Sequence, residues 1–174
     1  FKFSSSSQES FNTVGGVGDL NDDGLGDMVL MNFYGSPSGR DFAGLGYAIF
    51  GQTSFPATFD LASLNGSNGF KINGASSGDQ LGDSVRKAGD VNGDGVDDAL
   101  LSASYLAGPT GDNLGGSYII FGKNTASAGA FPAVLEVSTL NGSDGFVIYG
   151  VNANDLAGRS SAAGDVNGDG FDDV

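Results

Sequence analysis

Apolar residues fall in short runs parted by glycine-rich polar stretches. Ala99-Leu100-Leu101 and Tyr118-Ile119-Ile120-Phe121 are continuously apolar, which suits strands covered on both faces. Around them the pattern predicts strands at 70–72, 84–88, 98–102 and 117–121. Asn65-Gly66, Asn68-Gly69, Gly89-Asp90 and Gly108-Pro109 punctuate these runs as turns. Only 61–64 and 137–140 read as helical turns.

The pattern repeats. Gly46-Tyr47-Ala48-Ile49-Phe50-Gly51 returns 71 residues later as Ser117-Tyr118-Ile119-Ile120-Phe121-Gly122. Leu64-Asn65-Gly66-Ser67-Asn68-Gly69-Phe70 returns as Leu140-Asn141-Gly142-Ser143-Asp144-Gly145-Phe146. Phe1-Lys2-Phe3 takes the place of Phe70-Lys71-Ile72 and of Phe146-Val147-Ile148. The chain divides into a repeat over 1–69, a second over 70–145 and part of a third over 146–174, all within one domain. Four short strands per repeat, in tandem, is the pattern of an all-β fold built of four-stranded antiparallel β-propeller blades. About two and a half blades cannot close a ring, since propellers use roughly four to eight. The expectation is therefore an excerpt of a longer chain. The alternative is a ring completed by further copies, three of which supply about seven blades.

Composition changes this picture in one respect. The formal charge is -14, with 21 acidic and 7 basic side chains, and twelve of the acids lie in three nine-residue windows, 19–27, 90–98 and 165–173. Outside them nine acids face seven bases, so the scaffold is close to neutral and the charge is local. No basic patch offers a nucleic-acid surface. No run approaches the ~18 apolar residues of a membrane-spanning helix. The absence of histidine and cysteine removes thiol nucleophiles, disulfides and the commonest general base.

Each window reads D-x-N-x-D-G-x-x-D. Calcium takes six to eight oxygens from carboxylates, amides, backbone carbonyls and water. Asp19, Asn21 and Asp23 supply positions one, three and five, the Leu25 carbonyl position seven, and Asp27 position nine. The second window offers Asp90, Asn92, Asp94, the Val96 carbonyl and Asp98; the third offers Asp165, Asn167, Asp169, the Phe171 carbonyl and Asp173. An EF-hand needs a glutamate at position twelve, where Leu30 and Leu101 stand. Magnesium prefers a smaller, largely hydrated shell. Metal-free Asp/Asn/Gly hairpin turns are the competing reading of any single window. Three copies in the same phase favour up to three calcium ions, one per loop.

At these residues the sequence resembles the FG-GAP repeats of the integrin α-chain β-propeller and its bacterial relatives. Phe50-Gly51 and Phe121-Gly122 fit the FG element, the three acidic windows fit the calcium loops, and Gly82-Asp83-Ser84-Val85 and Gly158-Arg159-Ser160-Ser161 fit the small-residue lead-in. Ser102-Ala103-Ser104 and Met31-Asn32-Phe33 replace the GAP element, and Ser10-Phe11-Asn12-Thr13 replaces the first glycine-serine lead-in. The resemblance implies a secreted or cell-surface, non-enzymatic module for adhesion or for binding a protein or glycan. Calcium is structural in that reading, with calcium loops on one face and any ligand on the other. The alternatives are a propeller tied to a secreted hydrolase and a component of an extracellular filament or surface layer.

Other signals read more plainly. Tyr47, Phe50, Tyr118 and Phe121 recur at blade spacing as packing residues. Arg40-Asp41 and Asp112-Asn113 read as solvated loops, 4–7 as a polar turn, and Asp79, Asp83 and Asp155 as turn caps rather than a paired-carboxylate hydrolytic site.

Overall fold

The computed structural model describes residues 2–5, 9–111, 113–158 and 160–174. Phe1, Asp112, Arg159 and part of the 4–7 turn, all named above, lie outside the described residues. The fold is all-β, with 35% of the described residues in strands and 8% in helix, and its sheets are mostly antiparallel.

Eleven strands run in order among the described residues: β1 (Lys2–Ser4), β2 (Thr13–Gly18), β3 (Asp27–Asn32), β4 (Leu45–Ile49), β5 (Thr58–Asp60), β6 (Gly69–Asn73), β7 (Val85–Gly89), β8 (Asp98–Ala103), β9 (Gly116–Ile120), β10 (Val134–Glu136) and β11 (Gly145–Tyr149). The strands at 70–72, 84–88, 98–102 and 117–121 thus form within a residue or two of their expected bounds. The helical turns form as 3-10 turns at Leu61–Ser63 and Val137–Thr139, the first capped by Asp60 accepting the Ala62 N–H. A four-residue helix, Thr125–Ala128, capped by Asn124, was not signalled by the pattern.

Strands β7, β8, β9 and β11 form one four-stranded antiparallel sheet. Strands β2, β3, β4 and β6 form its counterpart, and β10 adds to β6 in parallel as a fifth strand. The short β1–β5 pair is parallel and stands apart. The sheets are out of phase with the sequence period: β6, whose residues open the second repeat, closes the first sheet by pairing Ala48 with Phe70 and Tyr47 with Lys71. A late strand sealing an earlier sheet ties consecutive repeats together.

One core fills the space between the two sheets. Val29, Met31, Ala48, Phe50, Phe70 and Ile72 come from the first, and Val85, Ala99, Leu101, Tyr118 and Ile120 from the second. The faces presented are not equivalent. Leu101 points into this shared core, whereas Leu30, 71 residues earlier, packs on the outer side with Tyr47, Phe59 and Leu61. Conversely Ala48 lies in the shared core while its equivalent Ile119 packs outside with Ala88 and Leu100. Successive sheets therefore stack in the same orientation, each laying one face on the opposite face of its neighbour. Both faces of each central strand are covered, which is why those strands lack polar alternation. Tyr47, Phe50 and Tyr118 are buried and Phe121 half-buried, all in packing roles.

Candidate metal centre

The first two acidic windows are the connections from β2 to β3 and from β7 to β8. Each is closed by a pair between a left-handed glycine and the last aspartate, Gly18 with Asp27 and Gly89 with Asp98. The third window closes in the same way, by Gly164 with Asp173. Within each loop two residues take positive φ: Asp22 and Gly24, Gly93 and Gly95, Gly168 and Gly170. Aspartate tolerates that region better than most side chains, which lets Asp22 stand where the other loops use glycine.

The loops wrap their N–H groups around their own carboxylates. Asp19 accepts the N–H of Asp23 through Oδ1 (3.0 Å) and of Gly24 through Oδ2 (2.7 Å). Asp90 accepts those of Asp94 (3.0 Å) and Gly95 (2.8 Å), and Asp165 those of Asp169 (3.1 Å) and Gly170 (2.9 Å). The amide oxygens of Asn21, Asn92 and Asn167 accept the N–H two residues on. Asp23, Asp94 and Asp169 accept from Leu25, Val96 and Phe171. The ninth position reaches back to the second in every loop: Asp27 to the Leu20 N–H (2.8 Å), Asp98 to Val91 (2.9 Å) and Asp173 to Val166 (2.9 Å). All fifteen expected oxygen-bearing residues thus fall in three loops of one design.

The ninth position also joins the loop to the Phe-Gly pairs at 50–51 and 121–122. Asp27 Oδ1 accepts the Gly51 N–H at 2.7 Å and Asp98 Oδ1 the Gly122 N–H at 2.8 Å, each across 24 residues. A side chain at Gly51 would meet the Gly26 carbonyl at 2.7 Å, and one at Gly122 the Asp97 carbonyl at 2.3 Å. Glycine is needed there because the end of the third strand lies directly on the loop. The constant spacing is visible in the sequence, but its meaning requires the fold.

The donor set is all oxygen, which fits a hard cation. A carboxylate oxygen holding one N–H keeps a second lone pair for a metal; in Asp90 and Asp165 that oxygen is Oδ2, because Oδ1 of each already accepts two N–H groups. Among the described residues no three carboxylates are gathered into a formed cage. Asn21 Nδ2 donates to Asp23 Oδ2 at 2.9 Å, and Asn92 Nδ2 to Asp94 Oδ2 at 3.0 Å. These amide protons partly offset the carboxylate charge, and an ion entering between the two side chains has to displace them.

Asp27 and Asp98 are buried, and burial pushes each carboxyl up to about 6 despite two backbone hydrogen bonds that pull it down. The charges of Asp23 and Asp19 add to the rise at Asp27, and those of Asp94 and Asp90 at Asp98. In the exposed third loop the Gly170 N–H holds Asp165 below the usual carboxylate range. A folded pKa raised above the unfolded value of ~3.9 means stability that is present at low pH and lost as pH rises through about 6. Without divalent ions the melting temperature is therefore expected to rise between pH 7 and pH 5, each buried carboxyl contributing about 1 kcal/mol over that window. Saturating calcium should reverse that slope, because the ion needs ionised ligands. Thermal melts in EGTA and in calcium across this range check both signs.

Of the three carboxylates expected to cap turns, Asp79 and Asp155 do so, whereas Asp83 instead meets a side chain 21 residues on. Asp79 accepts the N–H groups of Ser76 (2.9 Å) and Ala107 (3.2 Å), and Asp155 that of Asn152 (2.8 Å). Asp83 is bonded to Ser104 Oγ. Arg40, read as a solvated loop residue, instead forms a 2.5 Å ion pair with Glu136, which also accepts from Asn73 Nδ2. The pairing was hidden because its partner lies 96 residues away. No family model matches the chain, and no curated protein matches it.

Proposed function

We propose that this chain is part of a calcium-stabilised β-propeller of the FG-GAP kind, as found in integrin α-chains. In this reading it belongs to a secreted or cell-surface protein that works in adhesion or in recognition of a protein or glycan. The observation that carries the reading is one loop design, built three times from the same oxygen donors at the same point of the repeat. Two sheets stacked in the same orientation support blades, and the remaining blades come from the same protein or from further copies of this chain. Calcium is structural here: it neutralises a loop of four aspartates and fixes the hairpin that joins the first two strands of a blade. Extracellular calcium modules have Kd values of ~10⁻⁴ to 10⁻³ M, which suits loops that keep three of their carboxylates exposed or half-exposed.

Asp94→Ala tests the assignment at one loop. Asp94 is exposed, so in EGTA its loss should cost less than ~1 kcal/mol. In saturating calcium the same change should remove one bound ion per chain and lower the melting temperature by several degrees. Calorimetric titration and paired melts measure this, and equal effects in EGTA and calcium would count against an ion at this loop.

A further inference from the structure

Adjacent loops are joined by residues outside the proposed ligand sets. Position eight of the second loop is Asp97, which stands between the Val96 carbonyl and Asp98. Its Oδ2 accepts the N–H of Asp19, the first residue of the first loop, at 3.0 Å. Its Oδ1 is held by Lys87 Nζ at 2.7 Å. The contact recurs one repeat on, where Asp172, between Phe171 and Asp173, accepts the N–H of Asp90 through Oδ2 at 2.8 Å. The Asp172 N–H in turn donates to the Asp90 carbonyl at 2.9 Å.

The chain makes room for both contacts. A Cβ on Gly18 would lie 2.1 Å from Asp97 Oδ2, and one on Gly89 1.9 Å from Asp172 Oδ2. Both glycines also take left-handed φ, 85° and 84°. The position before each first ligand is thus cleared for a carboxylate of the following loop. In the first loop position eight is Gly26, so this loop has no such carboxylate to extend.

We propose that Asp97 and Asp172 couple calcium binding between neighbouring loops, an inference that rests on the calcium reading above. They are positioning residues. An ion in the second loop fixes residues 96 and 98, and with them the Asp97 side chain that orients Asp19, the first ligand of the first loop. The third loop acts on the second through Asp172. Linkage is reciprocal, so each loop raises its neighbour's affinity by the same factor. One charge-assisted hydrogen bond supports a factor of about ten. A second tether, from the Lys123 N–H to the Leu20 carbonyl (3.0 Å) and from Thr125 to the Asn21 carbonyl, is untouched by substitution at Asp97. Substitution there isolates the carboxylate's share.

The test uses the whole chain with the third loop silenced by Asp169→Ala and calcium titrated by calorimetry. Silencing the second loop with Asp94→Ala should weaken binding at the first loop about tenfold while Asp97 is present. In an Asp97→Ala background the first loop should bind weakly from the start and change less than twofold on adding Asp94→Ala. Asp97→Asn keeps an acceptor for the Asp19 N–H but loses its charge, and should retain about a threefold effect. A second measurement reads the contact itself rather than an affinity. In protein with the first loop silenced by Asp23→Ala, the Asp19 amide resonance should shift as the second loop fills. Adding Asp97→Ala should abolish that shift. A first-loop affinity indifferent to the second loop with Asp97 intact, or a dependence that persists without it, overturns the coupling and leaves separate calcium sites. No calcium heat in the unsubstituted chain overturns the calcium reading and the coupling together.

Discussion

Removing calcium with EGTA at pH 7 is expected to lower the melting temperature by ~10 °C or more. Each ion that binds the native but not the unfolded chain stabilises by RT ln(1 + [Ca²⁺]/Kd), or about 1.4–2.7 kcal/mol at a ten- to hundredfold excess over Kd. For a chain of this size, 1 kcal/mol corresponds to ~2–4 °C. The buried loops should dominate. Asp27 and Asp98 are 4% and 0% exposed, and without an ion their charges are held near other carboxylates in poorly solvated surroundings. Relief of that repulsion adds to the ion's own binding energy. Magnesium at the same concentration should restore little of the loss, because its small octahedral shell does not match these loops. Melting curves in calcium, EGTA and magnesium check the ranking. Equal curves in calcium and EGTA would show that the loops are stable metal-free turns.

Phe70→Ala is expected to cost ~4 kcal/mol whether or not calcium is present. Phe70 is fully buried on β6, stacked on Phe131 at 4.8 Å and 16° between ring planes, with Phe50 edge-on at 6.0 Å. Phe131 leads into β10, which adds to β6, so this aromatic trio fastens the first sheet to the segment that follows β9. Truncating a buried phenylalanine removes its transfer energy and leaves a cavity, a combined ~3–5 kcal/mol. Phe70 itself bonds no loop carboxylate, so the loss should largely add to that of calcium removal, with some coupling through Phe50, whose neighbour Gly51 donates to Asp27. Urea unfolding with and without EGTA measures both. A cost below ~1 kcal/mol would mean that the two sheets do not depend on this contact.

Much of the fold was legible because the strands obey local rules. Ala99-Leu100-Leu101 lacks alternation because one face meets the shared core and the other meets Ala88 and Ile119. The acidic loops were legible because D-x-N-x-D-G sets both the turn and its donors within nine residues. What escaped reading depends on distant partners. Strands β5 and β10 are three residues long and exist because Phe3 meets Phe59 and Leu135 meets Ile72. Asp97 looked like one more acid in its window, and its partner lies 78 residues away in the neighbouring loop. Arg40 looked solvated for the same reason. Gly51 and Gly122 were seen as a motif, yet their reason, the close approach of a strand end to an acidic loop, appears only in three dimensions.

The central claim, that each D-x-N-x-D-G-x-x-D loop holds a calcium ion, is tested most directly by counting. The chain is dialysed against buffer with saturating calcium, and bound metal is measured by elemental analysis against protein concentration. The account predicts three calcium ions per chain, falling to two in Asp94→Ala. A chain that retains no calcium above the dialysis buffer would contradict it.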